Sequence, residues 1–158
     1  MWQLGSGGLM PVKTILWPTD LSEASLKAGG QVVTLAQNFG AEVILMYVAV
    51  DLCAYFPAYG NYPSPEHLNN FRDWEIERAR KQLERICADE LKACPFLKLR
   101  LVTGDPASEI LKMIDQAGAD LVVLSSRGQG ARGGQVQELG RVAQSILQRS
   151  PVPVHVIK

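Results

Sequence analysis

The sequence predicts a single doubly wound α/β domain: a five-stranded parallel sheet with helices on both faces. Three observations carry that prediction. Short apolar runs alternate with helical patterns along the chain, in the order β-α-β-α-β-α-β-α-β. Two of the runs, Glu42 to Val50 and Leu121 to Leu124, are almost uninterruptedly apolar, as strands covered on both faces are. A loop bearing Gly128, Gly130, Gly133 and Gly134 joins the run ending at Ser125 to a helical pattern after Gly140. Right-handed crossovers turn such a series into a sheet that binds ligands outside the carboxyl ends of its strands.

Residues 1 to 11 contain Gly5, Gly7 and Gly8 without periodicity and are expected to be a flexible lead-in, so the domain is read as 12 to 158. Val12 to Trp17 reads as the first strand, followed at once by the turn Pro18-Thr19-Asp20-Leu21-Ser22-Glu23. Leu26, Val32, Val33, Ala36 and Phe39 then recur at helical spacing up to Gly40, a C-terminal cap. Glu42 to Val50 is the second strand, placed centrally. Residues 51 to 65 form a long aromatic loop, with Tyr55, Phe56, Tyr59 and Tyr62 among prolines; it serves either as a lid or, by preference, as cover for the end of the sheet.

Glu66 to Cys94 reads as a long helix whose single apolar stripe includes Ile76, Ala79, Leu83 and Ile86. Leu97 to Val102 alternates and is assigned to an edge of the sheet. Asp105 is the expected N-cap of the next helix, Pro106 its first residue and Gly118 its end. Leu121 to Ser125, a helix over Arg141 to Arg149, and a short strand over Val152 to Ile157 complete the order. Asp120 is read as a turn residue.

Lys+Arg and Asp+Glu balance at 16 each, so no global field favours nucleic acid or an anionic membrane, and any anion site must be local. No apolar run is long enough to span a membrane, and a cytoplasmic location is expected. Cys53, Cys87 and Cys94 form no C-x-x-C pair, and His67 and His155 are far apart, so neither a zinc site nor a disulfide framework is signalled. What remains is the glycine loop. Glycines allow close backbone approach, and a helix N-terminus presents unpaired N–H groups and partial positive charge, which together suit phosphate.

Taken together, T-I-L-W-P-T-D-L-S-E, G-A-E-V-I-L-M-Y-V, V-T-G-D-P, A-D-L-V-V-L-S-S-R-G and S-P-V-P-V-H-V-I resemble the universal stress protein family over Val12 to Lys158. The resemblance implies its five-stranded fold, similar to that of the adenine nucleotide alpha hydrolases, and a homodimer through the last strand, Val152 to Ile157. The family contains ATP-binding members and members that do not bind it. ATP-binding members carry Gly, two residues, Gly, nine residues, Gly, then Ser or Thr. Aligned from the strand, Ser125, Gly128 and Gly140 take the glycine places, with eleven residues instead of nine before Gly140. Aligned backwards from Gly140, Gly130 and Arg127 take them. In both alignments Arg141 replaces the hydroxyl residue.

The site the resemblance implies therefore comprises Pro18, Thr19 and Asp20 on the adenine and ribose side, Val48 presenting backbone to the base, and Gly104. The phosphate side comprises Ser125, Arg127, Gly128, Gly130, Gly140, Arg141 and Val142. ATP, with Mg, is the implied cofactor. Arg141, with Arg127 and Arg132, either grips phosphate in place of the hydroxyl or points into water. Asp20 also has a structural reading, as N-cap of the first helix in a capping-box arrangement with Glu23.

Two functions compete: a nucleotide-binding stress-response module, and a dimeric interaction protein of the same fold that binds no nucleotide. An ATP-splitting or adenylyl-transferring enzyme is disfavoured. Pro18-Thr19-Asp20 stands where such an enzyme has a Ser-Gly-Gly type loop, and no Walker-type lysine follows, so at most slow hydrolysis is expected.

Overall fold

In a computed structural model, residues 11–50, 64–89, 91–94, 96–127 and 139–158 are described. The chain runs β1 (Thr14–Thr19), α1 (Glu23–Leu26), α2 (Gly29–Phe39), β2 (Glu42–Ala49), α3 (Pro65–Asp89), β3 (Phe96–Thr103), α4 (Pro106–Ala117), β4 (Leu121–Ser125), α5 (Arg141–Arg149) and β5 (Val154–Ile157). One five-stranded parallel sheet has the order β3-β2-β1-β4-β5. The expected doubly wound architecture is present, with the alternating strand β3 at an edge. The lead-in 1–10 and the aromatic loop 51–63 lie outside the described residues.

Alternation along the strands splits the core in two. Ile15, Trp17, Val43 and Leu45 face one side, where they pack with Val32 and Ala36 of α2 and with Leu83 and Ile86 of α3. Leu16, Ile44, Met46, Val122 and Leu124 face the other, against Ile110, Met113 and Ile114 of α4 and Ala143 and Ile146 of α5. Trp17 is fully buried, and its indole N–H finds no acceptor. That costs about 1–3 kcal/mol, to be set against the large apolar area of the ring.

Several boundaries differ from the sequence reading. β1 extends through Pro18 and Thr19, so the turn begins at Asp20. The first helix is two: a four-residue α1 and then α2, joined through i→i+3 bonds such as Ala28 N–H to Ser25 O (3.2 Å) just before the Gly29-Gly30 pair. α3 stops at Asp89 rather than Cys94, closed by Leu91 N–H donating to Ile86 O (3.2 Å). β5 begins at Val154, because Val152 N–H is taken by the Ser150 hydroxyl. α4 matches its expected caps: Asp105 accepts from Ser108 N–H (2.9 Å), and Gly118 is left-handed at φ 60°.

Asp120 does more than turn the chain. Its Oδ2 accepts from the N–H groups of both Lys13 (2.8 Å) and Thr14 (3.0 Å), while its own N–H donates to Thr14 O (2.9 Å). The carboxylate thus clips the start of β1 to the start of β4. Asp120→Ala removes two charge-assisted bonds and is expected to cost about 1–3 kcal/mol in chemical denaturation, with Asp120→Asn recovering part of the loss.

Gly104 sits at φ 154°, a conformation side chains rarely adopt, and a Cβ there would stand 2.9 Å from Glu109 Cγ. Gly30, inside α2, has open space around its missing Cβ. Gly104→Ala should therefore lower the melting temperature, by the equivalent of about 1–3 kcal/mol, whereas Gly30→Ala should raise stability by about 0.5–1 kcal/mol. Thermal unfolding of the two variants side by side checks both signs.

Candidate functional site

The sheet opens between its two central strands. In a parallel strand the N–H and C=O of one residue point to the same neighbour, and successive residues alternate. Lys13 O accepts from Glu42 N–H beside β2, whereas Thr14 O accepts from Asp120 N–H beside β4. Even-numbered residues of β1 therefore address β4, and Pro18 is one of them. Proline has no N–H to give. Pairing of β1 with β2 runs from Thr14↔Glu42 to Thr19↔Tyr47, but pairing with β4 stops at Leu16↔Val122. Beyond that rung the two strands have no further pairing, and their connections leave in opposite directions, to α1 and to α5. This is the crevice where ligands bind in doubly wound sheets.

One wall is the turn after β1. Thr19 is buried, and its hydroxyl accepts from Leu21 N–H (3.1 Å) and from Ser25 Oγ (2.8 Å), so it braces the turn from beneath. Asp20 Oδ1 accepts from Ser22 N–H (3.0 Å). Leu21 between them is held at φ 62°, alone among described non-glycine residues in being left-handed, which costs roughly 1–2 kcal/mol. The N-cap of α1 is Ser22, whose Oγ accepts from Ser25 N–H (3.2 Å), and not Asp20 as the capping-box reading expected. Asp20 lies two residues further out, where its bond forms an Asx turn and keeps its carboxylate at the rim.

The opposite wall is the end of β4 with the start of α5. Ser126 N–H donates to Ile157 O (2.7 Å), and Ser126 O accepts from Gly140 N–H (2.8 Å). That second bond fastens together the two feet of the glycine loop, and it sets Arg141 and Val142 beside Ser125 and Arg127. Ser125, which the alignment from the strand sets in the place of the first family glycine, has no positive φ; its hydroxyl donates to Arg127 O (2.7 Å). The serine side chain is thus accommodated by the backbone. Gly128, Gly130 and Arg132 lie outside the described residues.

Two of the helices that begin at this edge differ in how their first N–H groups are met. α4 is self-sufficient: Asp105 caps it, Pro106 removes a donor, and the Ser108 amide holds the Asp105 carboxyl below its ordinary range. α5 starts at Gly140 with no side-chain cap and no acidic residue in its first turn. Val142 and Ala143, its second and third residues, carry the N–H groups that a capping side chain would otherwise engage.

Val48 lies partly buried on the same face of the sheet as Leu16 and Met46, one position past the Thr19↔Tyr47 pair. Gly104 follows β3, and its N–H donates to Ala49 O (3.0 Å), tying the ends of β2 and β3 together. All the described candidates, Pro18, Thr19, Asp20, Val48, Gly104, Ser125, Arg127, Gly140, Arg141 and Val142, thus stand along one edge, but Gly104 lies beyond β2, away from the crevice. Sequence reasoning missed Tyr47 and Ser126. Tyr47 OH donates to Glu75 Oε1 (3.2 Å) of α3. Burial, then the Glu75 carboxylate and the charge of Asp20, push the phenol up to about 12 and keep it a donor. Tyr47 was hidden inside an apolar run, and the role of Ser126 is played by its backbone, which has no residue signature. Among the described residues no cluster of His, Cys, Asp and Glu is able to hold a metal.

The profile of the universal stress protein family matches residues 11–158. The chain is similar to universal stress protein MJ0531 of Methanocaldococcus jannaschii: 31% identical over 148 residues, spanning 92% of this chain and 82% of that protein. The solved structure of MJ0577, from the same organism, superposes with a TM-score of 0.79 at 27% identity over 94% of this chain and 96% of that one. A universal stress protein from Archaeoglobus fulgidus, solved in complex with dAMP, shares the fold at a TM-score of 0.64 and 18% identity, over 94% of this chain and 100% of that one. A match across nearly the whole chain, from the clip at the start of β1 to the end of β5, places this chain in the universal stress protein family.

Proposed function

We propose that the crevice between β1 and β4 binds ATP or another adenine nucleotide, and that the protein is a stress-response signalling module of the cytoplasm. The observation that carries the reading is the bond from Gly140 N–H to Ser126 O, which holds an uncapped helix N-terminus beside the open end of β4. Phosphate suits that place: it accepts the first N–H groups of α5 and complements the helix dipole. Arg141, in the first turn, is unfavourable beside bare N–H groups and favourable once an anion lies between them. With Arg127 it supplies the charge that the absent family hydroxyl does not, and Mg accompanies the phosphates. On the other wall, Asp20 accepts from the ribose hydroxyls, while Pro18 and the backbone of Val48 border the base. The Archaeoglobus relative of the same fold was solved in complex with dAMP, which supports the reading. Gly128 and Gly130 complete the phosphate side.

Calorimetric titration of nucleotide-free protein with ATP, ADP and AMP tests this. Saturable heat and a raised melting temperature are expected, with Asp20→Ala and Arg141→Ala each weakening ATP about ten- to a hundredfold, the loss of one hydrogen bond to a charged group. No heat and no thermal shift at millimolar ATP would leave the second reading, an interaction protein that binds no nucleotide. Unchanged affinity in both variants would refute the site.

The protein is further proposed to form a homodimer through β5. That strand pairs only with β4 among the described residues, and Val154 and Val156 are only partly buried. Pro151 and Pro153 confine its donors to the residues after them, so a short antiparallel pairing across a twofold axis fits the edge. Light scattering after size exclusion should give twice the chain mass at micromolar concentration, and a proline at Val156 should yield monomer. A monomer in the unaltered protein at that concentration would exclude this interface.

A further inference from the structure

α3 is longer than the sheet it packs on. Its 25 residues extend about 37 Å, whereas its buried residues, Ala79, Leu83 and Ile86, all lie in the second half. The first half, from Pro65 to Arg78, buries no residue completely; it rests on half-buried Leu68, Arg72, Glu75 and Ile76. Yet it carries two large exposed aromatics, Phe71 at 45% and Trp74 at 55% exposure. Their rings stand 5.8 Å apart, and the Arg78 guanidinium lies 5.4 Å over the Trp74 ring.

The charges of this helix are sorted in part, with Lys81 paired to Glu77 (3.6 Å). Phe71, Trp74, Arg78 and Arg85 recur at spacings of three, four and seven, which sets them on one flank. Glu66, Asp73, Glu77 and Glu84 recur at seven, four and seven on a different flank, about a third of a turn away. The core stripe through Ala79 and Leu83 occupies the third side. One flank therefore combines two tilted aromatic rings with two guanidinium groups, its one carboxylate being Asp89 at the far end of the helix, a composition typical of residues that dominate protein interfaces.

We propose that this flank of α3 is a docking surface for an acidic amphipathic helix of another protein. The partner sets an apolar residue against Phe71 and Trp74 and carboxylates against Arg78 and Arg85. The sorted charges select that occupant. A second copy of this chain, related by a twofold axis, would present a flank of the same net positive sign rather than an acidic stripe. An anionic membrane needs a broader apolar face and a larger basic cluster than two aromatics and two arginines. Stacking of Arg78 over Trp74 already fixes the cation at the patch, leaving its outward edge for a bidentate carboxylate. The inference does not depend on nucleotide binding, since none of these residues borders the crevice.

Fluorescence anisotropy of a labelled synthetic helix of Leu, Ala and Glu, about 18 residues long, tests it against the full chain. Saturable binding is expected, with Trp74→Ala and Arg78→Glu each weakening it at least about tenfold. Both side chains are exposed, so circular dichroism and melting temperature should stay unchanged, and the same helix with Lys for Glu should not bind. Three results would overturn the proposal: no binding of the Glu helix; equal binding by the two variants; or equal binding of the Lys helix. Trp74-dependent binding to phosphatidylglycerol vesicles or to a thymidine oligonucleotide in preference to the peptide would also overturn it, reassigning the face to a membrane or to single-stranded nucleic acid.

Discussion

Strand β1 is hydrogen-bonded along its full length on one side and only as far as Leu16 on the other, and the geometry of the carboxyl edge follows from that asymmetry. A strand with both edges fully paired would leave no gap between β1 and β4. A strand unpaired on both sides would not hold the centre of the sheet. One residue without an N–H, oriented toward β4, reconciles the two. Below it the pairing is reinforced by the Asp120 carboxylate, which grips the first two amides of β1. The central strand is clamped at its start and released at its end.

That release has an energetic counterpart in the turn above it. Leu21 is strained, and the strain persists because the hydroxyl of Thr19 and the carboxylate of Asp20 each take an amide of the same turn. Side chains over-determine the backbone here, so the position of Asp20 is set by the turn itself. On the far wall the order is reversed: the helix start is fixed by a backbone bond, and among the described residues its donors have no capping side chain.

How much of this could be read from the chain depended on the distance over which each feature is encoded. The caps of α4 were legible because Asp105, Pro106 and Gly118 act within a few residues of their own helix. The apolar runs of β2 and β4 announced central strands. By contrast, Ser22 and Asp20 are both good capping residues two positions apart, and local pattern alone does not tell which starts the helix. The break between α1 and α2 was blurred because apolar spacing continues across it. Asp120 reached Lys13 and Thr14 across more than a hundred positions, and Ser126 acted through its main chain, so neither had a signature in sequence. Within the site, the positions on strands and at the helix start were legible by resemblance, while the connections holding them together were not.

The bond between Gly140 and Ser126 also bears on the two extra residues that the alignment from Ser125 and Gly128 sets into this loop. With both feet of the loop pinned to each other, the chain between them can lengthen at an entropic cost that grows only with the logarithm of its length. The start of α5 keeps its place beside β4 whatever that length is. Loop length and anchor position are then independent variables, and an insertion that looks disruptive when motifs are aligned by counting residues is, to the rest of the sheet, silent.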